Sequence, residues 1–377
     1  MNYHCSLKYT DLFVQVQARS LYNCCVAKPE RVDIEWLEQN PGKLFHTPTM
    51  EKDRKLMKEN KPCESCAFGC FDLESKGLPS RRKMSDNSEI THIGLKNLQI
   101  SLSNDCNLAC MYCGPEFSST WYRDIDTNGN YCHDGEVLLE NNSWHKLWAS
   151  MKQKQRTTDS RFFQLLKREI TLCQDLNEIQ LLGGEPLLHN DIVDIINSNL
   201  CTVKIITGLG VNKNRLDSVI SKIKNKNVQF TASAESTAQY FDMLRNGIKW
   251  DDFNDRVEQI KSNGFTINFN STISNISILD FHNFLEHFGE HDIELSLMND
   301  RPFLMPHVLD DETKQVFHDA WSENKDSLHY GRLVHMMGKD PTEKERQMLA
   351  SFLKQFSGRR SVDLGFLPKS LREWLGI

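Results

Sequence analysis

The chain has no apolar run long enough to span a bilayer, so no membrane partner is expected. It also has no N-terminal apolar run, which removes the reading of its twelve cysteines as a secreted disulfide framework. The expected setting is a reducing cytoplasm, where thiols stay available for metal. Positive charge is scarce: 45 Lys and Arg stand against 51 Asp and Glu, a net charge of −6. Non-specific nucleic-acid binding needs a basic surface, so that function class is disfavoured. The basic run Arg81-Arg82-Lys83 is short and reads as a solvated turn. The thirteen histidines show no trusted ligand spacing such as HxxxH. Beyond strand–helix alternation there is no internal repeat and no low-complexity run.

What the chain does have is a dense group of thiols. Cys106-Asn107-Leu108-Ala109-Cys110-Met111-Tyr112-Cys113 carries three cysteines at spacing C-x₃-C-x₂-C. Thiolates at that density suit an iron–sulfur cluster, whose irons want sulfur ligands. A fourth local cysteine is missing, so one iron of a cubane would keep an open position. A zinc knuckle or three free core thiols are the other readings. Zinc usually closes a structural site with a fourth Cys or His. The next ones, Cys132 and His133, lie far along a polar loop.

Upstream, residues 1–90 hold half of the cysteines. Residues 12–16 alternate apolar and polar, a short strand, and residues 49–60 read as a charged helix. Cys63 and Cys66 form a C-x₂-C pair, a spacing that lets one turn offer two thiolates to a metal. Cys5, Cys24, Cys25 and Cys70 are the other candidates, and zinc or an iron–sulfur cluster would both accept them.

From residue 95 the pattern becomes strand–helix–strand. Strands are expected near 95–102, 178–182, 203–207, 228–234, 266–273 and 293–298. Helices are expected at about 143–176, 190–199, 212–224, 251–263 and 278–287. Trp144, Leu147 and Trp148 would give the first of these an apolar face. Residues 116–142 read as a polar insertion. Regular alternation means a parallel sheet with right-handed crossovers, either doubly wound or a barrel. Residues 300–377 read as a polar helical tail.

Gly183-Gly184-Glu185-Pro186 follows the second of these strands. Two glycines let backbone approach a ligand, but alone they are equally a plain turn. Thr207, Ser233, Glu235 and Arg245 lie at or just beyond later strand ends, where ordinary loop polarity is the other reading. Cys132, Cys173 and Cys201 read as plain thiols.

The C-x₃-C-x₂-C spacing, with Tyr112 just before the third cysteine, resembles the radical S-adenosylmethionine (SAM) enzyme family. Taken end to end, the chain is similar to its twitch and SPASM-type members. The resemblance implies an α/β fold, an incomplete (βα)₆ TIM-like barrel with chemistry at the C-terminal strand ends. It implies a catalytic [4Fe–4S] cluster on Cys106, Cys110 and Cys113. It also implies SAM held by Tyr112, Gly183, Gly184, Glu185, Pro186, Thr207, Ser233, Glu235 and Arg245. Within this likeness, Gly183 to Pro186 match the motif that binds the SAM amino group. Glu235 stands where a carboxylate holds the ribose, and Arg245 where an arginine reaches the SAM carboxylate. Thr207 departs from the family's Thr-Asn-Gly in being followed by Gly208, and Glu235 replaces an Asp.

The segment from Cys63 to Arg81 resembles the family's auxiliary-cluster modules. A second [4Fe–4S] cluster on Cys5, Cys24 or Cys25, Cys63 and Cys66 is therefore expected, ahead of the barrel where most relatives carry it after. The implied division is 1–90 as the Cys-rich module, 91–300 as the barrel and 301–377 as a helical extension. The implied partners are SAM, a peptide or protein substrate, and an electron donor such as flavodoxin or ferredoxin. A small molecule or nucleotide is the rival substrate class. A zinc-binding interaction protein is the non-enzyme alternative.

Overall fold

Hydrophobic alternation with period two sets the strands, and the computed structural model of the chain forms them where that pattern runs. It describes residues 3–24, 26–78, 80–85, 93–139, 160–289, 293–298, 301–323, 325 and 327–377. In chain order the strands are β1 (Asp11–Gln15), β2 (Ser20–Tyr22), β3 (Glu30–Arg31), β4 (Asn97–Ser101), β5 (Cys132–His133), β6 (Glu136–Val137), β7 (Glu178–Leu182), β8 (Thr202–Thr207), β9 (Val228–Ser233), β10 (Thr266–Ile273) and β11 (Ile293–Leu297). The six strands expected from residue 95 onward all form, within a few residues of their expected ends. The chain packs as two units. The first comprises Met1–Asp105, Ser150–Ile206 and Asn214–Phe230, and the second Cys106–Ala149, Thr207–Lys213 and Thr231–Ile377.

In the first unit the strand order is β8-β7-β4-β1-β2-β3. Strands β4, β7 and β8 pair in parallel, with Leu98 opposite Ile179 and Ile179 opposite Val203. The N-terminal strand β1 continues this parallel run beside β4, Leu12 facing Leu98. β2 and β3 then turn back antiparallel. One face of the parallel strands is apolar and fully buried, through Leu98, Ile100, Ile179, Leu181, Val203 and Ile205. The opposite face is polar. Gln99 donates to Gln180 at 3.1 Å, and Lys204 pairs with Glu178 at 2.6 Å. A sheet of parallel strands usually buries both faces with apolar residues, so this polar face is a departure from that pattern.

The segment after β3 is anchored by one buried cation. Arg54, 1% exposed, donates to the carbonyls of Lys8 and Phe45 and stacks 4.2 Å over the Phe45 ring. It sits in the helix Pro48–Lys58, capped by the Thr47 hydroxyl on the Met50 amide. The helix expected at 49–60 therefore forms with a proline in its first turn, where a missing N–H costs nothing.

In the second unit β10 and β11 pair in parallel, Ser271 opposite Leu295, with β9 next to β10. Here too the face opposite the core is polar, and Ser296 donates to Asn270 at 2.8 Å. The region expected to be a polar insertion contains the helix Ser119–Asn128, capped by Ser118, and the β5–β6 hairpin. Its polar composition hides an amphipathic helix with a single large anchor, Trp121, fully buried. Trp121 and Tyr131 meet edge to face at 5.2 Å and pack on Phe356 and Phe352. Those phenylalanines lie on the tail helix Glu343–Arg360, which opens with a Thr342/Glu345 capping box. The tail is helical as expected, with further helices at Asp311–Ala320, Leu328–Met337 and Lys369–Leu375. Of the helix expected at 143–176, Ser160–Leu172 forms; Trp144, Leu147 and Trp148 lie outside the described residues. Among the described residues no helix is long and apolar enough to cross a membrane.

Candidate active site

The Cys106–Cys113 loop belongs to the second unit and is held by its backbone. The Ala109 amide donates to the Asn246 carbonyl at 2.7 Å, and the Met111 amide to the Leu244 carbonyl at 2.8 Å. The cap of the next helix adds three more ties. Ser118 Oγ donates to the Leu108 carbonyl, Thr120 Oγ1 donates to the Cys106 carbonyl, and Ser119 Oγ accepts from the Cys106 amide. Trp121 Nε1 donates to the Cys110 carbonyl at 2.9 Å, and Arg301 to the Met111 carbonyl at 3.3 Å. The loop thus spends its main-chain polar groups on fixed partners, leaving the cysteine side chains to be aimed.

Two glycines make room for it. At Gly247, with φ +114°, an added Cβ would stand 2.8 Å from the Asn107 carbonyl oxygen. At Gly210 it would stand 2.7 Å from Asn107 Oδ1 and 2.8 Å from Leu108 Cγ. Asn107 Nδ2 donates to the Gly210 carbonyl. Sequence reading did not single out Gly210, Ser118, Trp121 or Arg301. The one available signal was the Ser-Ser-Thr run ahead of Trp121, which reads as a helix cap.

The buried Glu235 and Arg245 form one group with the half-buried Tyr112 beside Cys110. Arg245 Nε and Nη2 grip the Glu235 carboxylate at 3.1 and 2.5 Å, a bidentate pair. Tyr112 donates its hydroxyl to Glu235 Oε1 at 2.5 Å, and the guanidinium lies 4.9 Å from the Tyr112 ring centre. Arg245 Nη1 points at Cys110 Sγ, 3.7 Å away. Burial alone would make Arg245 easier to deprotonate, but Glu235, Tyr112 and Cys110 together outweigh it, so the guanidinium stays charged. Burial also pushes the Tyr112 hydroxyl well above its ordinary value, so it remains a neutral donor.

Burial pushes the Cys110 thiol up as well, against the pull of Arg245. Cys113 is half-buried by surface, yet burial pushes its thiol up to about 12, with Arg301 near enough to oppose it. Such sulfurs ionise readily only when a metal or a cation takes the charge. Among the described residues no three His, Cys, Asp or Glu side chains converge as a single-metal site. A cluster of several irons asks each thiol for a different iron, so its ligands need not converge on one point. The donor set, three thiols on a pinned loop with cations at Cys110 and Cys113, fits such a group.

Two other expected residues belong to this unit. Thr207 is buried and accepts from the Leu209 amide through Oγ1. Ser233 ends β9 half-buried.

In the first unit, Gly183-Gly184-Glu185 runs against the segment that leads into Cys106. The Gly184 amide donates to the Ser103 carbonyl at 2.8 Å, and the Glu185 amide to the Asp105 carbonyl at 2.7 Å. A Cβ on Gly183 would stand 2.6 Å from Ser101 Oγ, and one on Gly184 would collide with the Asp105 carbonyl. Both glycines are therefore needed for backbone approach. Glu185, 2% exposed, caps the short turn Pro186–Leu188 by accepting from the Leu187 amide at 3.2 Å.

The N-terminal cysteines also gather within the first unit. Cys5, Cys63 and Cys66 pack in one cluster with Met57 and Phe71. Cys24 lies near enough to Cys66, and Cys70 near enough to Cys5, for their charges to interact. Cys25 lies outside the described residues. Ser65 Oγ stands 3.5 Å from Cys63 Sγ and 3.9 Å from Cys66 Sγ, and accepts from the buried Lys8 ammonium at 2.6 Å. Lys8 is also paired with Asp53 at 2.7 Å. A hydrogen bond from Cys66, followed in weight by Lys8, brings the Cys63 thiol down to about 6 against the cost of burial.

The model of the radical SAM superfamily matches residues 100–295. The chain belongs to that superfamily. Membership implies a [4Fe–4S] cluster and SAM, and the parallel-rich α/β fold described above agrees with it. No curated protein matches the chain. Similar solved structures include a histidine-tagged anSMEcpe with bound AdoMet, 12% identical at a TM-score of 0.37, over 54% of this chain and 52% of that one. This chain spans about half the length of that relative. SuiB of Streptococcus suis bound to precursor peptide SuiA is 12% identical at a TM-score of 0.34, over 84% and 70%. TYW1 with a lysine-pyruvate adduct bound is 18% identical at 0.33, over 72% and 80%.

Proposed function

We propose that this radical SAM protein is an enzyme of the twitch or SPASM type acting on a peptide or protein. Cys106, Cys110 and Cys113 hold the catalytic [4Fe–4S] cluster through three thiolates and leave one iron open. When bound, cluster and SAM together supply a 5′-deoxyadenosyl radical that takes a hydrogen atom from the substrate. The observation that carries this reading is the pinned three-thiol loop with a charged arginine at its middle sulfur.

In this reading the chain's own residues have separate tasks. Ala109 and Met111 fix the loop through backbone bonds. Gly183 and Gly184 bring backbone close to the run before Cys106, where the SAM amino group is to be received, with Glu185 and Pro186 completing that turn. Thr207, Ser233, Glu235 and Tyr112 line the SAM side. Residues 1–90 form an auxiliary module, in which Cys5, Cys63, Cys66 and one of Cys24 or Cys25 close a second cluster, with Cys70 in reserve. The clustering of Cys5, Cys63 and Cys66 supports this. Residues 91–300 are the barrel and 301–377 the helical extension. The peptide or protein substrate is supported by the likeness of the Cys63–Arg81 segment to auxiliary modules of peptide-modifying members. A low-potential donor of the flavodoxin or ferredoxin kind, in the cytoplasm, supplies the electron.

The deciding experiment is 5′-deoxyadenosine formation by anaerobically reconstituted protein under dithionite. A protein that stays colourless after iron and sulfide, and forms none, overturns the reading in favour of a zinc protein. Pull-down from a native host extract tests the substrate: a peptide or small protein is expected, and recovery of only a nucleotide or RNA moves the substrate to the rival class.

A further inference from the structure

Arg245 has an arrangement that binding a SAM carboxylate does not by itself require. Its fork is engaged: Nε and Nη2 go to Glu235, which is fully buried and also receives the Tyr112 hydroxyl. A carboxylate held bidentately locks the guanidinium plane. The remaining arm, Nη1, is then aimed at Cys110 Sγ at 3.7 Å, within hydrogen-bonding reach of sulfur. Arg245 is 5% exposed and Cys110 8%, so little water screens the contact. The backbone reinforces it, because the Met111 amide, next to Cys110, is bonded to Leu244, next to Arg245. Cys110 and Arg245 are thus tied by main chain and by side chain at once.

We infer that Arg245 is a positioning residue for the Cys110 thiolate, setting the reduction potential of the cluster that this sulfur ligates. The inference rests on the proposed assignment of the triad as cluster ligands. Hydrogen bonds to cluster sulfurs and nearby positive charge stabilise the reduced, more negative state and raise the potential. Glu235 and Tyr112 act through Arg245, by fixing its plane. A merely structural ion pair would tie the two chain segments together and leave the potential unmoved.

The test uses the full chain, reconstituted anaerobically with iron and sulfide and with no SAM added. The triad's signal is the reduced-cluster electron paramagnetic resonance missing from Cys106→Ala. Potentiometric titration of that signal is compared among wild type, Arg245→Leu and Arg245→Lys. Arg245→Leu is expected to shift the midpoint to more negative potential at unchanged iron content. Arg245→Lys, which keeps the charge but loses the fork, is expected to shift it the same way by less. Unchanged midpoints in variants that load iron normally overturn the inference and leave the proposed function standing. Wild type without triad iron overturns the proposed function itself, before any potential is read. Should Arg245→Leu fail to load, Arg245→Lys retains a cation in the cavity and decides the matter alone.

Discussion

The chain carries two groups of cysteines in two different environments. In the Cys106–Cys113 loop, Cys106 and Cys113 are half-exposed and Cys110 is 8% exposed. In the N-terminal group, Cys63 is 1% exposed, Cys5 5% and Cys66 6%, packed with Met57 and Phe71, while Cys70 is 4% exposed and Cys24 half-exposed. The loop is held by its backbone, with two of its three sulfurs half-exposed and Cys110 buried. Cys5, Cys63 and Cys66 are themselves part of a core, and Cys63 and Cys66 lie near a buried Lys8–Asp53 pair. A buried thiolate is expensive unless a metal or cation takes its charge. The two sets thus differ in exposure: a loop set with two half-exposed sulfurs, and a mostly enclosed N-terminal set.

The largest expected effect breaks that contrast at its loop side. Cys106→Ala, Cys110→Ala and Cys113→Ala should each abolish 5′-deoxyadenosine formation, because a three-ligand cluster has no thiolate to spare. Turnover like wild type in any one of them removes that sulfur from the site.

Next comes the enclosed side. Reconstituted wild type should hold about 8 irons per chain and Cys63→Ala/Cys66→Ala about 4, for two cubanes against one. The double variant should still cleave SAM. About 4 irons plus one zinc in wild type would replace the second cluster by a structural zinc site.

Charged contacts to SAM follow. Glu185→Ala and Arg245→Ala should weaken SAM binding by about 2–5 kcal/mol, the usual loss when a desolvated charge partner is removed. Calorimetry on cluster-loaded protein measures this. Normal binding by both would place the SAM contacts elsewhere.

A smaller effect separates backbone holding from core packing. Gly247→Ala should cost about 1–3 kcal/mol, since φ +114° and the Asn107 carbonyl both oppose a side chain. Thermal denaturation should show that loss together with easier iron release from the triad, while iron in the N-terminal group stays put.

The smallest concerns acid. Burial pushes the Glu74 carboxyl up, but Arg82 and Ser80 outweigh it and hold the group below its ordinary value of 4.5. Its stabilisation is therefore complete above that value and is lost as pH falls through the lower folded one. Amide protection of residues 72–84 in metal-free protein should drop as pH goes below about 4.5. Glu74→Gln should be less protected at neutral pH and flatter through that window.

Much of this was legible along the chain. Period-two alternation placed β7 and β10 to the residue, because a strand's burial pattern is local. The spacing of Cys106, Cys110 and Cys113 was equally plain, since one loop supplies all three. The helix Ser119–Asn128 was not, because its burial rests on Trp121 meeting aromatics on a helix more than two hundred residues away. Nor was the parallel pairing of β1 with β4, which joins residues separated by most of the N-terminal segment.

By itself, then, the sequence determined which residues alternate, where thiols are dense and which glycines follow a strand, all properties of neighbours in the chain. Only the tertiary structure decided what those residues do to one another. It joined Glu235 and Arg245 in a bidentate pair and set Glu185 as the cap of the turn that follows it. It aimed Arg245 at Cys110 and gathered Cys5 with Cys63 and Cys66. Electrostatic partnership and burial depend on distance in space, and chain spacing carries no record of that distance until the sheet has formed.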